Sequence, residues 1–141
     1  MKIKSGGIMR IVDELLQPAR GQELASQAHL EHIDRLQRII WRFGRNNGTP
    51  EQAMDVIKKL EAEENQLNES IDRLVNYRAK ALKYIEQLSG EEHAVIFRYY
   101  ISGESWERIS EKTFMSERRV YMLRKSALKK LENLYLKGLD E

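Results

Sequence analysis

Between Thr113 and Lys137 the chain carries seven basic residues and two acidic ones, although all 141 residues together come to a formal charge of +2. On a helix that opens after Ser116, the residues Glu117, Arg118, Tyr121, Met122 and Lys125 share the side opposite Val120 and Ala127, with Arg119, Arg124, Lys129 and Lys130 flanking them. The chemistry open to such a face is recognition of a polyanion. An arginine fork at the start of a helix matches guanine O6 and N7 in a major groove, and cations further along meet phosphates whatever the sequence. The same residues would also suit a solvated C-terminal helix, whose dipole favours lysine at its end. The elements that precede this helix decide for the groove.

Other chemistry finds little to stand on. His29 and His32 sit one turn apart, and no third ligand lies near them in sequence, so no metal site is expected. His93 stands alone. There is no nucleophile elbow, no glycine-rich oxyanion loop and no acid at triad spacing. The paired carboxylates read as surface charge, so neither an enzyme nor a cofactor is expected. With no cysteine there is no disulfide framework, which fits a reducing compartment. No apolar run approaches the roughly 18 residues that would span a bilayer. Residues 1–7 are basic without a following apolar stretch, so no signal peptide is expected, and Ser5-Gly6-Gly7 predicts a disordered start.

The basic helix needs elements to hold it. Ser89-Gly-Glu-Glu92 has the form of a capping box and starts a first helix. Gly103 marks a turn, Ser105 can cap a short helix over Trp106 to Lys112, and Ser116 can cap the basic one. Val95, Ile96, Tyr99, Trp106, Ile109, Val120, Leu123, Ala127 and Leu131 point inward, giving a trihelical head over residues 89–137 with Trp106 at its centre. Two short capped helices with a tight turn before a basic third outline a helix-turn-helix.

The first 88 residues read as a helical arm. Ile8, Ile11, Val12, Leu15 and Leu16 suit a short helix that Pro18 and Gly21 break or kink. Ile33, Leu36, Ile40 and Phe43 form one stripe of a second, which Gly44, Asn46, Asn47 and Gly48 end. Thr49-Pro50-Glu51-Gln52 then opens the longest periodic segment. Ile57, Leu60, Glu64, Leu67, Ile71, Leu74, Arg78, Ala81, Ile85 and Leu88 step three, four, three, four as a heptad seam. The expected fold is all-α, a long antiparallel helical hairpin or coiled-coil arm followed by the head. Because the preceding helix is the shorter, the half from Ile71 to Leu88 needs either the Ile8–Leu16 helix or a second subunit. Self-association as a dimer through Ile57, Leu60, Leu67, Ile71, Leu74 and Ile85 is the reading preferred. Glu64 and Arg78 would set register or subunit number. Arg35, Arg38, Arg42 and Arg45 form a stripe expected to pair with Glu61, Glu63 and Glu64; a second nucleic-acid surface is the alternative.

Residues 115–131 resemble the recognition helix of the region 4 domain of bacterial sigma factors. Val95-Ile-Phe-Arg-Tyr-Tyr100 and Ser105-Trp-Glu-Arg-Ile109 look like that domain's first two helices. Residues 63–131 as a whole are similar to phage and prophage transcriptional regulators of the RinA and ArpU type, through Glu69-Ser-Ile-Asp-Arg-Leu-Val75 and Arg98-Tyr-Tyr-Ile-Ser-Gly-Glu-Ser-Trp106. This resemblance implies binding to promoter DNA, activation of phage late genes and a cytoplasmic location in a bacterial host. It assigns base reading to Glu117, Arg118, Tyr121 and Met122. Tyrosine and methionine depart from the arginine and glutamine usual in sigma factors, so different bases are expected, with apolar contacts to thymine methyls. No sigma region 2 is recognised, so a complete sigma factor is not expected. The alternatives are a small terminase-type packaging subunit, or an adaptor that docks on RNA polymerase.

Overall fold

A computed structural model describes residues 9–46 and 48–138, with the side chains of residues 44–46 left aside. The disordered start expected over residues 1–7, the place of Ile8 in the first apolar helix, the role of Asn47 in ending the second and the side chain of Arg45 lie outside the described residues. The described residues are helical with no strand. The elements are α1 (Gln17–Asn46), α2 (Pro50–Ile85), α3 (Gly90–Ile96), α4 (Trp106–Thr113) and α5 (Glu117–Lys137). A π-helical turn, Val12–Leu16, leads into α1, and another, Phe97–Ile101, continues α3.

Pro18 does not break the chain as its sequence suggests. Proline lacks an N–H and crowds the carbonyl four residues back. The π turn just before it widens the backbone, with the Gln17 N–H reaching Val12 O, so the helix runs on through the proline. Gly21 has open space where a Cβ would stand and introduces no break.

The start of α2 follows its sequence signal. Thr49 Oγ1 accepts from the Gln52 N–H at 3.2 Å, and Gln52 Oε1 accepts from the Thr49 N–H at 3.1 Å. The turn before it requires glycine at 48, since a Cβ there would lie 2.7 Å from the Phe43 ring.

The two long helices pair antiparallel. Ser26 bonds to Ser70 at 3.0 Å, both buried, while Glu23 meets Arg78 and His29 meets Glu63. Ile33 and Leu36 are buried, and Ile57, Leu60 and Leu67 are half-buried along the same pairing. Most of the half-seam that motivated a second subunit, from Leu74 to Leu88, is covered by the chain itself. Ile11, Leu15, Leu16 and Ala19 pack with Ala81, Tyr84, Ile85 and Leu88, and Ala127, Leu128 and Leu131 of α5 join them. Of the six residues assigned to a subunit contact, Leu74 and Ile85 are therefore buried within the chain, and Ile71 is exposed. Arg78, expected to specify register or subunit number, pairs with Glu23 of α1 and donates to Ile101 O at 3.1 Å. Glu64 is exposed.

The boundary at Leu88-Ser89 is a turn in the chain, yet buried residues on both sides of it belong to one core. Two carboxylates reinforce that joint. Glu132 of α5 accepts from the backbone N–H groups of Ile11 and Arg10, at 2.9 and 3.1 Å, and so serves the orphan donors of the first helix. Glu14 accepts from the Tyr135 hydroxyl.

A shared core predicts shared unfolding. Trp41 lies on the arm and Trp106 on the head, so Trp41→Phe and Trp106→Phe each leave one fluorescent reporter. Their urea midpoints should coincide, and Ile85→Ala should move both together, at a cost of about 2–5 kcal/mol. Separate midpoints would show that arm and head unfold independently.

Candidate nucleic-acid interface

The helices that present α5 owe their starts to two serines. Ser105 Oγ accepts from the Arg108 N–H at 3.2 Å, and Ser116 Oγ accepts from the Arg119 N–H at 3.1 Å. The capping box expected at Ser89 is not made, because Ser89 forms no side-chain cap and Glu92 is engaged elsewhere. Glu92 reaches across to α5, where it accepts from Lys130 Nζ at 2.8 Å and Ser126 Oγ at 2.7 Å. Glu91 likewise pairs with Arg119.

Beneath α5, Val95, Ile109 and Val120 form a small buried cluster, with Tyr99, Trp106, Met115 and Leu123 half-buried around it. Trp106 is thus at the rim rather than at the centre. Its ring lies flat on Tyr99, with centroids 3.8 Å apart and planes 8° apart. Arg20 of α1 stands 3.8 Å over Tyr99, and Arg124 stands 4.9 Å over Trp106. The inner faces of both rings are taken by each other, so the two guanidiniums occupy the outer faces. Parallel stacking opposes two negative ring faces, and a cation on each outer side offsets that repulsion. Arg20 also donates to Tyr99 O at 2.6 Å and Glu104 O at 3.0 Å. The π turn supports this arrangement by directing Tyr100 and Ile101 into the core while Tyr99 faces Trp106. Burial pushes the Tyr100 hydroxyl up to about 12.

The surface of α5 divides into three stripes. Arg119, Ser126 and Lys130 face α3 and are held by Glu91 and Glu92. Glu117, Tyr121 and Arg124 face α4, lining an open pocket of about 230 Å³ with Trp106, Glu107 and Val120. Between them Arg118, Met122, Lys125 and Lys129 form the outer stripe, all exposed, and its cations make no ion pair among the described residues. Tyr121 and Met122 are 56% and 60% exposed. Six of the eight residues assigned to the interface thus lie open, whereas Arg119 is paired and Arg124 is stacked. Sequence reasoning turned Tyr99 inward but not onto Trp106, and it missed Arg20, which carried no periodic or motif signal that could have found it.

The other candidate sites resolve differently. His29 and His32 both turn Nδ1 to Glu63, at 2.5 and 3.1 Å. Among the described residues, Arg35, Arg38 and Arg42 of the α1 stripe form no ion pair with α2, contrary to expectation. Arg38 pairs with Asp34 of its own helix, Arg35 and Arg42 are exposed, and Glu63 is held by the histidines. The reason is rotational: Ile33 and Leu36 turn toward α2 and carry the arginines away from it. No family model matches the chain, and no curated protein or solved structure matches it either.

Three carboxylates tie elements together and respond to acid. Hydrogen bonds from Lys130 and Ser126 hold Glu92 below its ordinary value of 4.5. His29 does the same for Glu63, and Tyr135 followed by Arg10 for Glu14. A lowered folded-state value means stability that is present above 4.5 and lost as pH falls through the lower folded value. Thermal melts should therefore hold steady from about pH 7 to about pH 5 and fall below that. Glu92→Gln should flatten part of this acid limb, and an unchanged acid limb would remove Glu92 from the account. In alkali the sign reverses. The raised Tyr100 value gives stability that is intact below 10 and lost as pH rises to about 12.

Proposed function

We propose that the chain is a sequence-specific DNA-binding transcriptional regulator that places α5 in the major groove, with α4, the turn and α5 acting as a helix-turn-helix. The observation that carries this reading is the outer stripe of α5, where Arg118, Lys125 and Lys129 stand exposed and unpaired behind the Ser116 cap. The opposite side of the same helix is buried through Val120, Ala127 and Leu131. Cations that a protein neutralises internally cannot release counterions from DNA. These three can, while Arg119 and Lys130 brace the head. Activation of phage late genes, in the manner of the RinA and ArpU regulators, is the specific form that the sequence resemblance supports. RNA polymerase would then be a second partner.

Glu117, Tyr121 and Arg124 beside the groove stripe give the helix a polar and an apolar reading edge, suited to cytosine amino groups and thymine methyls. The exposed stripe favours this reading over an adaptor that docks on polymerase without touching DNA, since the adaptor would show no salt-dependent affinity for a duplex. A terminase-type packaging subunit would assemble into rings. A light-scattering mass of one or two chains of 16.6 kDa would exclude that form, and a multiple of many chains would favour it.

Fluorescence anisotropy on a duplex selected from a random pool tests the proposal. Arg118→Ala should weaken the selected site by about 1–3 kcal/mol and relax choice at one base pair. Lys129→Ala should weaken all duplexes alike and reduce the salt slope by about one. Unchanged affinity in Arg118→Ala, or a Lys129→Ala loss confined to one sequence, would overturn the respective assignment.

A further inference from the structure

Phe114 stands in the turn between α4 and α5 with a φ of +58° and 95% of its surface open to solvent. Each condition is unfavourable for phenylalanine. The left-handed region brings Cβ against the following carbonyl, and an aromatic ring in water gives up its burial. Glycine would relieve both, as it does at the other positive-φ positions, Gly90, Gly103 and Gly138. Among the described residues Phe114 is the one non-glycine with positive φ.

The turn that carries the ring is braced on both sides. Thr113 Oγ1 donates to Ile109 O at 2.6 Å, and Ser110 Oγ donates to Met115 O at 2.5 Å. Met115 packs inward against Val95, Ile109 and Val120. Its neighbour Phe114 is left pointing out by a backbone with little freedom to turn it in. Two more large exposed apolar groups, Tyr121 and Met122, follow in the first turns of α5, with the unpaired Arg118 between them and the turn. Three large exposed apolar groups therefore lie at the end of α5 that carries the unpaired Arg118.

We infer that Phe114 is a specificity residue for duplex DNA, packing its ring on the 5-methyl groups of thymines at the edge of the major groove. This inference rests on the DNA-binding reading of α5. Apolar side chains distinguish thymine from the other bases through that methyl, and the adjoining cations supply attraction to the phosphates on either side. The ring gains its burial in the complex, which offsets the cost of holding phenylalanine at a position that suits glycine.

The test uses the full chain and a duplex that the wild-type protein selects from a random pool. Phe114→Gly should fold with an unchanged or higher Tm, because glycine adopts this φ freely. It should bind the selected duplex about tenfold more weakly. Replacing thymines in the site by uracil, which removes the methyl alone, should weaken the wild type by about fourfold per contacted methyl and leave Phe114→Gly unaffected at those positions. Phe114→Asn, which also tolerates the left-handed region, should behave like the glycine variant. Equal affinity of wild type and both variants would overturn the contact while the DNA reading stands. Loss of affinity with the uracil penalty retained in the variants would overturn the methyl contact. Failure of the wild type to select any sequence or to bind in a salt-dependent way would overturn both readings together.

Discussion

An amphipathic helix of 36 residues needs cover for its apolar stripe, and the rest of the molecule answers most of that need, with Ile71 left exposed. α2 would extend about 54 Å, more than a helix starting after Pro18 could match. The π turn at Val12–Leu16 lets the first helix continue through the proline and place Ile11, Leu15 and Leu16 against Ala81, Ile85 and Leu88. α5 closes the remaining side with Ala127, Leu128 and Leu131. The helix that presents the cationic stripe is therefore also part of the wall that seals α2. Its orientation relative to the arm is set by burial, the strongest term available, rather than by a flexible joint.

Polar contacts refine that orientation. The Arg20–Tyr99–Trp106–Arg124 stack runs from α1 to α5 through the second π turn and the start of α4. Glu91 and Glu92 hold the opposite flank of α5 through Arg119, Ser126 and Lys130. Exposed ion pairs contribute little to stability, roughly 0–1 kcal/mol each, so their effect here is mainly geometric. They reinforce the rotation of α5 that burial of its inner side sets. They also divide its cations into those paired within the chain and those left exposed and unpaired.

The sequence made local chemistry legible and long-range closure illegible. Thr49, Ser105 and Ser116 cap as expected because a cap depends on residues within one turn of itself. The stripe of Ile33 and Leu36, and the inward Val95, Ile109 and Val120, were readable from periodicity alone. Ser89 failed as a capping box because Glu92 has a stronger partner in Lys130, 38 residues away, and no local rule weighs that competitor. Pro18 failed as a breaker because the compensating π turn precedes it and has no compositional mark. Trp106 was expected at the centre from its inward spacing, whereas a guanidinium on each side of a stacked pair makes the rim the better location. At the interface, the exposed residues were readable from helical period, and the division between paired and free cations was not.

That division follows from the period of the helix itself. With 3.6 residues per turn, one residue of shift rotates every side chain of α5 by about 100°. Such a shift would carry Val120, Ala127 and Leu131 out of the core and bring charged neighbours into it. The three surface stripes are therefore not independent of one another. Burial of the inner side fixes which residues meet Glu91 and Glu92, which meet Trp106, and which remain as the open line of Arg118, Met122, Lys125 and Lys129. A cationic surface built this way has its backbone already held by the core of the whole chain, so contact with a ligand would order only the side chains.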